Sequence, residues 1–418
     1  MRYYIGVLLA VLFFAVPWAV YNNPSESARI FETIRKAGHQ FAAVVTHNPR
    51  SIAYLQTKYK ESASQTEKKI RVLIVPGHEP TYGGAEYAHL KERDMAVALS
   101  DYIAGYVRSN PKYEVFVTRS TKKWSVPFEG YFINEWDAIV DWRESYKEEM
   151  SRLLEVGQVK AEPPVIYHNS APQDVAVRLY GITKWANENQ IDIVLHVHFN
   201  DHPGHEYNVS GKYSGFAIYV PARQYSNSET THAVADEIFE NLERYNPVSD
   251  LPGESRGIID EPELIAIGAY NTADAASMLI EYGYIYEPQF MKESVKDVAL
   301  QDMAYQTYRG IEEFFGTGEE ERSPYDTLMV PYTWKSILDD ADEYPKDIYA
   351  LQTALIISGE YPPASFDDNE CPRTGKLGPC TKEAIKSFQE KYNIIGEEGI
   401  VGPKTLEILN SKFGLKSL

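Results

Sequence analysis

The chain has 418 residues, enough for one large core and a small appended domain. Lys plus Arg number 41 against 60 Asp plus Glu, a net charge of -19 that argues against nucleic acid or an anionic membrane surface as the main partner. The 2 cysteines, Cys371 and Cys380, are too few for a thiolate zinc finger and either close a small disulfide loop or remain free thiols.

Arg2 precedes an uncharged apolar stretch from Tyr3 to Val20, the pattern of a signal peptide or a single membrane anchor (residues 1–21). The best cleavage candidate, Ala19, has Pro17 two residues before it, so the reading favours an uncleaved anchor. Residues 22–68 are polar, with a helical pattern from Ala28 to Val45, and read as a stalk. Arg71 to Val75 is a buried-strand pattern that breaks at Pro76 and Gly77, with His78 just beyond. Strand exits of this kind are where α/β folds place ligands. Glu92 opens a helix whose apolar stripe runs Met95, Leu99, Tyr102, Ile103 and Tyr106, and it lies one turn before Met95 on that stripe. A charged stretch from Glu144 to Glu155 reads as a helix.

Ile191 to Leu195 is the next strand and runs into His196, His198 and Asn200; a period of two puts both histidines on one face. Ser277 to Ile280 delivers Glu281, then turns at Tyr282 and Gly283. His168, His202, His205 and His232 read as ordinary loop or surface histidines. An acidic stretch bearing Gly316 and Pro324 opens a linker over 317–342, of which Thr327 to Trp334 packs back on a folded part. Further on, Gly375, Gly378, Pro379 and Thr381 are echoed by Gly399, Gly402, Pro403 and Thr405, each set a turn into an apolar helix. Those helices hold Ala384, Ile385 and Phe388, then Leu406, Ile408 and Leu409, and an earlier one holds Ile348, Leu351, Leu355 and Ile356.

A carboxylate on a buried helix face needs a partner, because an unpaired buried charge neutralises or binds a cation. Two histidines and a carboxylate with an open fourth position form a known catalytic zinc arrangement, and a second carboxylate can take the proton of a water there. Each residue alone has a plainer reading: a hydrogen-bonded histidine, an acid favoured by a helix's first turn, a salt-bridged strand end. It is the set of His78, Glu92, His198 and Glu281 that points to a zinc hydrolase.

The segments Pro76–His78, Lys91–Asp94, His198–Asn200 and Leu279–Tyr284 resemble the zinc-dependent N-acetylmuramoyl-L-alanine amidases of bacterial cell walls. Tyr113–Arg119, Arg178 and Ala186–Asn187 add supporting matches, and the resemblance covers residues 69–316. It implies an α/β catalytic domain of phosphorylase/hydrolase-like type, a mixed central sheet flanked by helices. By resemblance His78, Glu92 and His198 ligate zinc and Glu281 is the general base; Asn200 and Arg178 stand around the site or its cleft, and His196 reads either as a supporting or structural residue beside the ligands or as a competing ligand. Three departures stand out: the loop Glu79–Gly84, His196 in place of a serine, and Tyr286–Glu287 in place of an asparagine. Residues 120–174 form an insert longer than the family pattern, carrying Trp124, Tyr131, Phe132 and Trp136, that reads as a peripheral helix or a groove wall. Residues 343–412, with Leu351–Gln352 and Phe388–Gln389, resemble a small three-helix peptidoglycan-binding domain. The implied substrate is peptidoglycan and the implied location is outside the cytoplasm, anchored at the membrane or secreted to the wall. Other readings are another zinc amidohydrolase or peptidase on this scaffold, or a non-catalytic wall binder.

Overall fold

The computed structural model describes residues 48–62, 69–168, 170–316, 325, 327–339 and 344–415. The apolar stretch at 3–20 and the helical pattern at 28–45 lie outside the described residues. Among those described, no helix is long and apolar enough to cross a membrane.

The core is a six-stranded mixed sheet. Its strands are β1 (Ile70–Pro76), β4 (Tyr113–Val117), β5 (Ile193–Asn200), β6 (Ala217–Pro221), β7 (Ile258–Glu261) and β8 (Ala276–Tyr284), in the order β4-β1-β5-β8-β6-β7. A separate hairpin of β2 (Glu86–Tyr87) and β3 (Leu90–Lys91) leads into the helix after it. All neighbours in the large sheet are parallel except β6 and β8. Central strands of such a sheet are covered on both faces and read as continuous apolar runs, which is why β1 and β5 carry so little polarity. Ile193, Leu195, Val197 and Phe199 pack on one face with α1 (Ile52–Glu61), α2 (Glu92–Ser109), α6 (Ser228–Glu243) and α8 (Glu293–Phe314). Leu73, Val75 and Val194 pack on the other with α3 (Val126–Asn134), α4 (Trp136–Glu155) and α5 (Gln173–Glu188). The mixed, helix-flanked sheet expected from the sequence is the sheet observed.

Part of the expected stalk belongs to this core. Helix α1 is capped by Ser51, whose Oγ accepts from Tyr54 N at 3.2 Å, and buries Leu55 and Tyr59. Tyr59 stacks on Phe315 at 4.3 Å, and Lys58 Nζ sits 2.5 Å from the fully buried Asp192. Asp192 also faces Arg50 Nε at 3.5 Å and accepts from Arg71 N at 2.8 Å. Polar side chains at 50 and 58 look like solvent-facing residues in sequence because their partner lies more than a hundred residues away. The expected linker is likewise partly structured: Met329, Val330, Trp334 and Leu338 join a second core, and Trp334 Nε1 donates to Asp347 O at 2.9 Å.

That second core is built by α9 (Pro345–Ser358), α10 (Pro379–Lys391) and α11 (Pro403–Phe413), after the short α7 (Pro288–Met291) and α8. The echoed turns have one cause. Gln352 Oε1 accepts from Gly375 N at 2.9 Å while its Nε2 donates to Thr381 Oγ1 at 2.9 Å; Gln389 repeats this with Gly399 N at 2.9 Å and Thr405 Oγ1 at 2.9 Å. Gly375 and Gly399 sit at φ 68° and 78°, where a side chain would be strained. Cys371 and Cys380 are joined in a disulfide, with Cα atoms 5.9 Å apart.

Replacing Asp192 with Ala strands Lys58 and Arg50 beside the core, and the loss of a buried pair's partner costs roughly 3 kcal/mol. The expected outcome is a lower denaturant midpoint with unchanged slope; an unchanged midpoint would show that the Asp192 pairs add nothing to the docking of α1 on the sheet.

Candidate metal centre

Strand β1 brings the chain to the site, and its exit is shaped by what lies beside it. Gly77 N donates to Val197 O at 2.8 Å, extending the β1–β5 pairing. A Cβ on Gly77 would fall 2.5 Å from the His198 ring, so only glycine fits. His78 then adopts φ 66°, a left-handed conformation uncommon outside glycine and concentrated at functional positions. Arg119, buried at the end of β4, holds this exit by donating from Nε to Pro76 O at 3.2 Å and from Nη2 to Gly77 O and, at 3.1 Å, to Arg93 O. Burial pushes its guanidinium pKa down to about 10 against the raising effect of Glu79, Asp94 and Glu92.

Glu92 is the first residue of α2, where the helix macrodipole favours an anion, and it is 4% exposed. Its Oε1 accepts from Phe199 N at 3.2 Å and its Oε2 from Ala85 N at 2.9 Å. Both imidazoles converge on it: His78 Nε2 lies 2.7 Å from Oε2 and His198 Nδ1 lies 3.0 Å from Oε1. The two rings meet edge to face with centroids 4.9 Å apart. Burial works to raise the Glu92 pKa, but the His78 charge and the hydrogen bond with His198 outweigh it and hold the carboxyl well below the usual range. Gly84, at φ 83°, closes the set: a Cβ there would meet His78 at 2.8 Å and Glu92 at 3.1 Å.

His78, Glu92 and His198 each offer one ligand atom, all within 4.8 Å of one another. His78 Nε2 is buried and, close as it is to Glu92, makes no properly directed hydrogen bond among the described residues. Two imidazole nitrogens and a carboxylate gathered this closely fit a divalent cation of the kind that nitrogen and oxygen ligands hold.

Glu281 stands beside this set. It is the register partner of His198 on β5 and of Ala217 on β6. Its Oε2 is buried with no hydrogen-bond partner among the described residues. Desolvation pushes its pKa well above the carboxylate range, and the charges of Glu92 and Glu254 add to the rise.

The other expected site residues fall around the centre. His196 shares the His198 face but is fully enclosed; burial first, then the His198 charge, pushes its pKa down to about 3, and it pairs with the Ala266 main chain. It stays outside the ligand set. Arg178 Nε donates to Glu79 Oε1 at 2.8 Å, and Arg178 Nη2 donates to Tyr82 OH at 3.1 Å and to Asp174, tying α5 to the loop after His78. Asn200 Nδ2 donates to Glu254 Oε1 at 2.8 Å. Glu287, one of the departures, serves the turn after β8 by accepting from Tyr284 N at 2.7 Å and Gly215 N at 2.9 Å. Within the insert, α4 packs against α5 while the following loop crosses to β6: Lys160 and Gln224 exchange hydrogen bonds at 2.9 Å, and the His168 ring lies 5.1 Å from Tyr219. His205 pairs with Asp201 at 2.6 Å and His232 with Asp260 at 2.7 Å.

Sequence reasoning missed Glu254. It is fully buried and accepts from Asn200, from Tyr219 OH at 2.5 Å, Ser249 Oγ at 2.5 Å and Tyr284 OH at 3.2 Å. It lies in a loop without periodicity, and its donors come from four separate segments, so no local signal marked it.

Comparison with known proteins gives two family matches. Residues 144–313 match the family described as N-acetylmuramoyl-L-alanine amidase, and residues 345–409 match a peptidoglycan binding domain family. The first match contains His198 and Glu281; His78 and Glu92 lie before it and reach them through the sheet. No curated protein sequence matches the chain. Among solved structures it is similar to the CwlD amidase of Clostridioides difficile, solved with the GerS lipoprotein, at 15% identity and TM-score 0.39 over 59% of this chain and 99% of that one. It is also similar to the amidase Ami1 of Mycobacterium smegmatis, at 13% identity and TM-score 0.38 over 59% and 97%. A third is the catalytic domain of CwlV from Bacillus (Paenibacillus) polymyxa var. colistinus, at 16% identity and TM-score 0.34 over 59% and 98%. Likeness at this level carries no weight for the site, whose case rests on its own geometry and the family matches.

Changing Gly77 to Ala drives a methyl group into the His198 ring. Divalent-metal affinity should fall at least tenfold, the scale on which misplaced ligands act, as read by competition with a chelating dye. An affinity equal to the unchanged chain would mean that the strand exit does not set the ligand geometry.

Proposed function

We propose, from the premise that this chain carries an N-acetylmuramoyl-L-alanine amidase family domain and a peptidoglycan-binding family domain, that it is a zinc-dependent amidase of the cell wall. The bond cut would be the amide between the lactyl group of N-acetylmuramic acid and L-alanine. The observation that carries this reading is the convergence of His78, Glu92 and His198 with Glu281 in register beside His198.

His78, Glu92 and His198 would hold the metal, which supplies Lewis acidity toward a carbonyl oxygen and toward water when bound in such a set. Glu92, tied by the amides of Ala85 and Phe199, keeps both imidazoles turned inward. Glu281 takes the proton of the attacking water and delivers it to the departing amine of L-alanine, so one carboxyl serves as base and then acid. The reaction needs no covalent enzyme intermediate. His196, neutral and hydrogen-bonded to the main chain, supports the end of β5 without competing for the metal. Arg178, by bonding Glu79 and Tyr82, steadies the loop that follows His78. The C-terminal domain holds the enzyme on its polymer, outside the cytoplasm, with the apolar stretch at 3–20 serving as membrane anchor or export signal.

Digestion of peptidoglycan by the protein, stripped of metal and then restored with zinc, tests the reading by mass spectrometry of the products. Zinc-dependent release of peptides beginning with free L-alanine is expected. A different zinc-dependent product would assign another amide on the same scaffold, and wall binding without product would leave only a binder.

The roles separate by mutation. Glu281→Gln should keep stoichiometric zinc and lose turnover by roughly 10²–10⁴-fold, the range for removing a general acid–base, whereas His78→Ala should lose the metal itself. Near-normal turnover in Glu281→Gln would place the base elsewhere.

A further inference from the structure

A domain that only tethers an enzyme to a polymer needs no fixed orientation toward the catalytic centre, since its contribution is effective concentration. The C-terminal domain here makes directional contacts, buried at Arg373, to two loops that meet at Phe216 and Val248, one residue before the register partner of Glu281. Arg373, inside the disulfide loop of Cys371 and Cys380, is 3% exposed. Its Nε donates to Tyr245 O at 2.8 Å and its Nη2 to Asn246 Oδ1 at 3.3 Å, while Nη2 lies 2.9 Å from Asp302 Oδ2. The guanidinium sits over the rings of Tyr245 and Tyr349, at 5.1 and 4.7 Å. Asn369 Nδ2 donates to Val248 O at 2.9 Å and approaches Ser214 O at 3.3 Å, bridging both loops.

From these contacts the path to the site is short. Phe216 and Val248 pair as a bridge, and the loops approach so closely that a Cβ on Gly215 would lie 2.5 Å from Val248 O. The next residue, Ala217, is the register partner of Glu281. On the second loop Ser249 donates to Glu254, which also receives Asn200, two residues past His198. The C-terminal domain thus grips the chain immediately before β6, the strand whose Ala217 lies beside Glu281 of β8.

We propose that Arg373 and Asn369 are positioning residues for the amide-cleaving site, holding loops 214–217 and 245–254 so that β5 and β8 present His198 and Glu281 in working geometry. The proposal rests on the functional reading above and adds to it that the C-terminal domain is part of the catalytic apparatus as well as its hold on the wall.

The test uses the full chain with Asn369→Ala and Arg373→Met, assayed on a soluble muramoyl-L-alanyl peptide that needs no wall binding. A fall in kcat of about tenfold for Asn369→Ala, and more for Arg373→Met, is expected, because sub-ångström displacement of reacting groups is costly. KM, zinc per chain and wall pull-down should stay within twofold. Unchanged kcat on the soluble peptide, with loss confined to intact wall, would overturn the proposal in favour of a tether. Should Arg373→Met unfold the C-terminal domain, Asn369→Ala decides, since it deletes only surface-side donors. If the unaltered chain cleaves no such peptide, the activity has been misread; amide hydrogen exchange then judges the positioning claim alone, with faster exchange in 245–254 and 276–284 of Asn369→Ala supporting it and unchanged exchange refuting it.

Discussion

A single buried carboxylate, that of Glu92, organises the site. An anion taken out of water at this depth needs compensation on every side. It has the helix N-terminus beneath it, the amides of Ala85 and Phe199 at its two oxygens, and the rings of His78 and His198 in front. Much of the surrounding architecture follows from keeping that arrangement. Gly77 and Gly84 leave room for the imidazoles, Arg119 pins the strand exit, and His78 accepts an unfavourable φ to face inward. The β2–β3 hairpin positions Ala85 so that it both donates to the Glu92 side chain and accepts from its backbone N–H at 2.9 Å.

Two further carboxylates stand close by in opposite circumstances. Glu254 is enclosed by four donors, whereas Glu281 leaves a buried oxygen bare and feels the charges of both neighbours. Glu254, saturated with hydrogen bonds, is a structural anchor, whereas the bare oxygen of Glu281 in register with His198 is what supports the proton-transfer role proposed for it.

The C-terminal domain shows how little a repeat says about ligand binding by itself. The repeated Gly, Pro and Thr residues exist because a glutamine one helix earlier needs a backbone amide and a hydroxyl to satisfy it, once around Gln352 and again around Gln389. Its core is continuous with the catalytic domain through Val295, Val298 and Ala299 of α8. Arg373 is desolvated at that junction, yet charges and rings around it outweigh burial and raise its pKa, so it remains a cation.

What the sequence determined by itself is what local periodicity encodes: the apolar runs of β1, β5 and β8, the helix that opens at Glu92, and the placement of His78 just past β1 and of His198 on the polar-bearing half of β5. The turn expected at Tyr282 and Gly283 is instead strand, because β8 stays paired through Tyr284 and holds Glu281 within it. Side-chain alternation along a strand is fixed by backbone geometry, so shared faces were legible without coordinates. The tertiary structure decided everything that depends on which distant segment arrives opposite. It separated His198, which meets Glu92, from His196, which shares its face but meets the Ala266 main chain. It turned the end of the expected stalk into α1 by supplying Asp192, gave Glu254 donors from four segments, and joined Cys371 to Cys380 where composition left both thiol states open. Partners far apart in the chain leave no mark on local pattern, because the energy that selects them exists only once the sheet has brought them together.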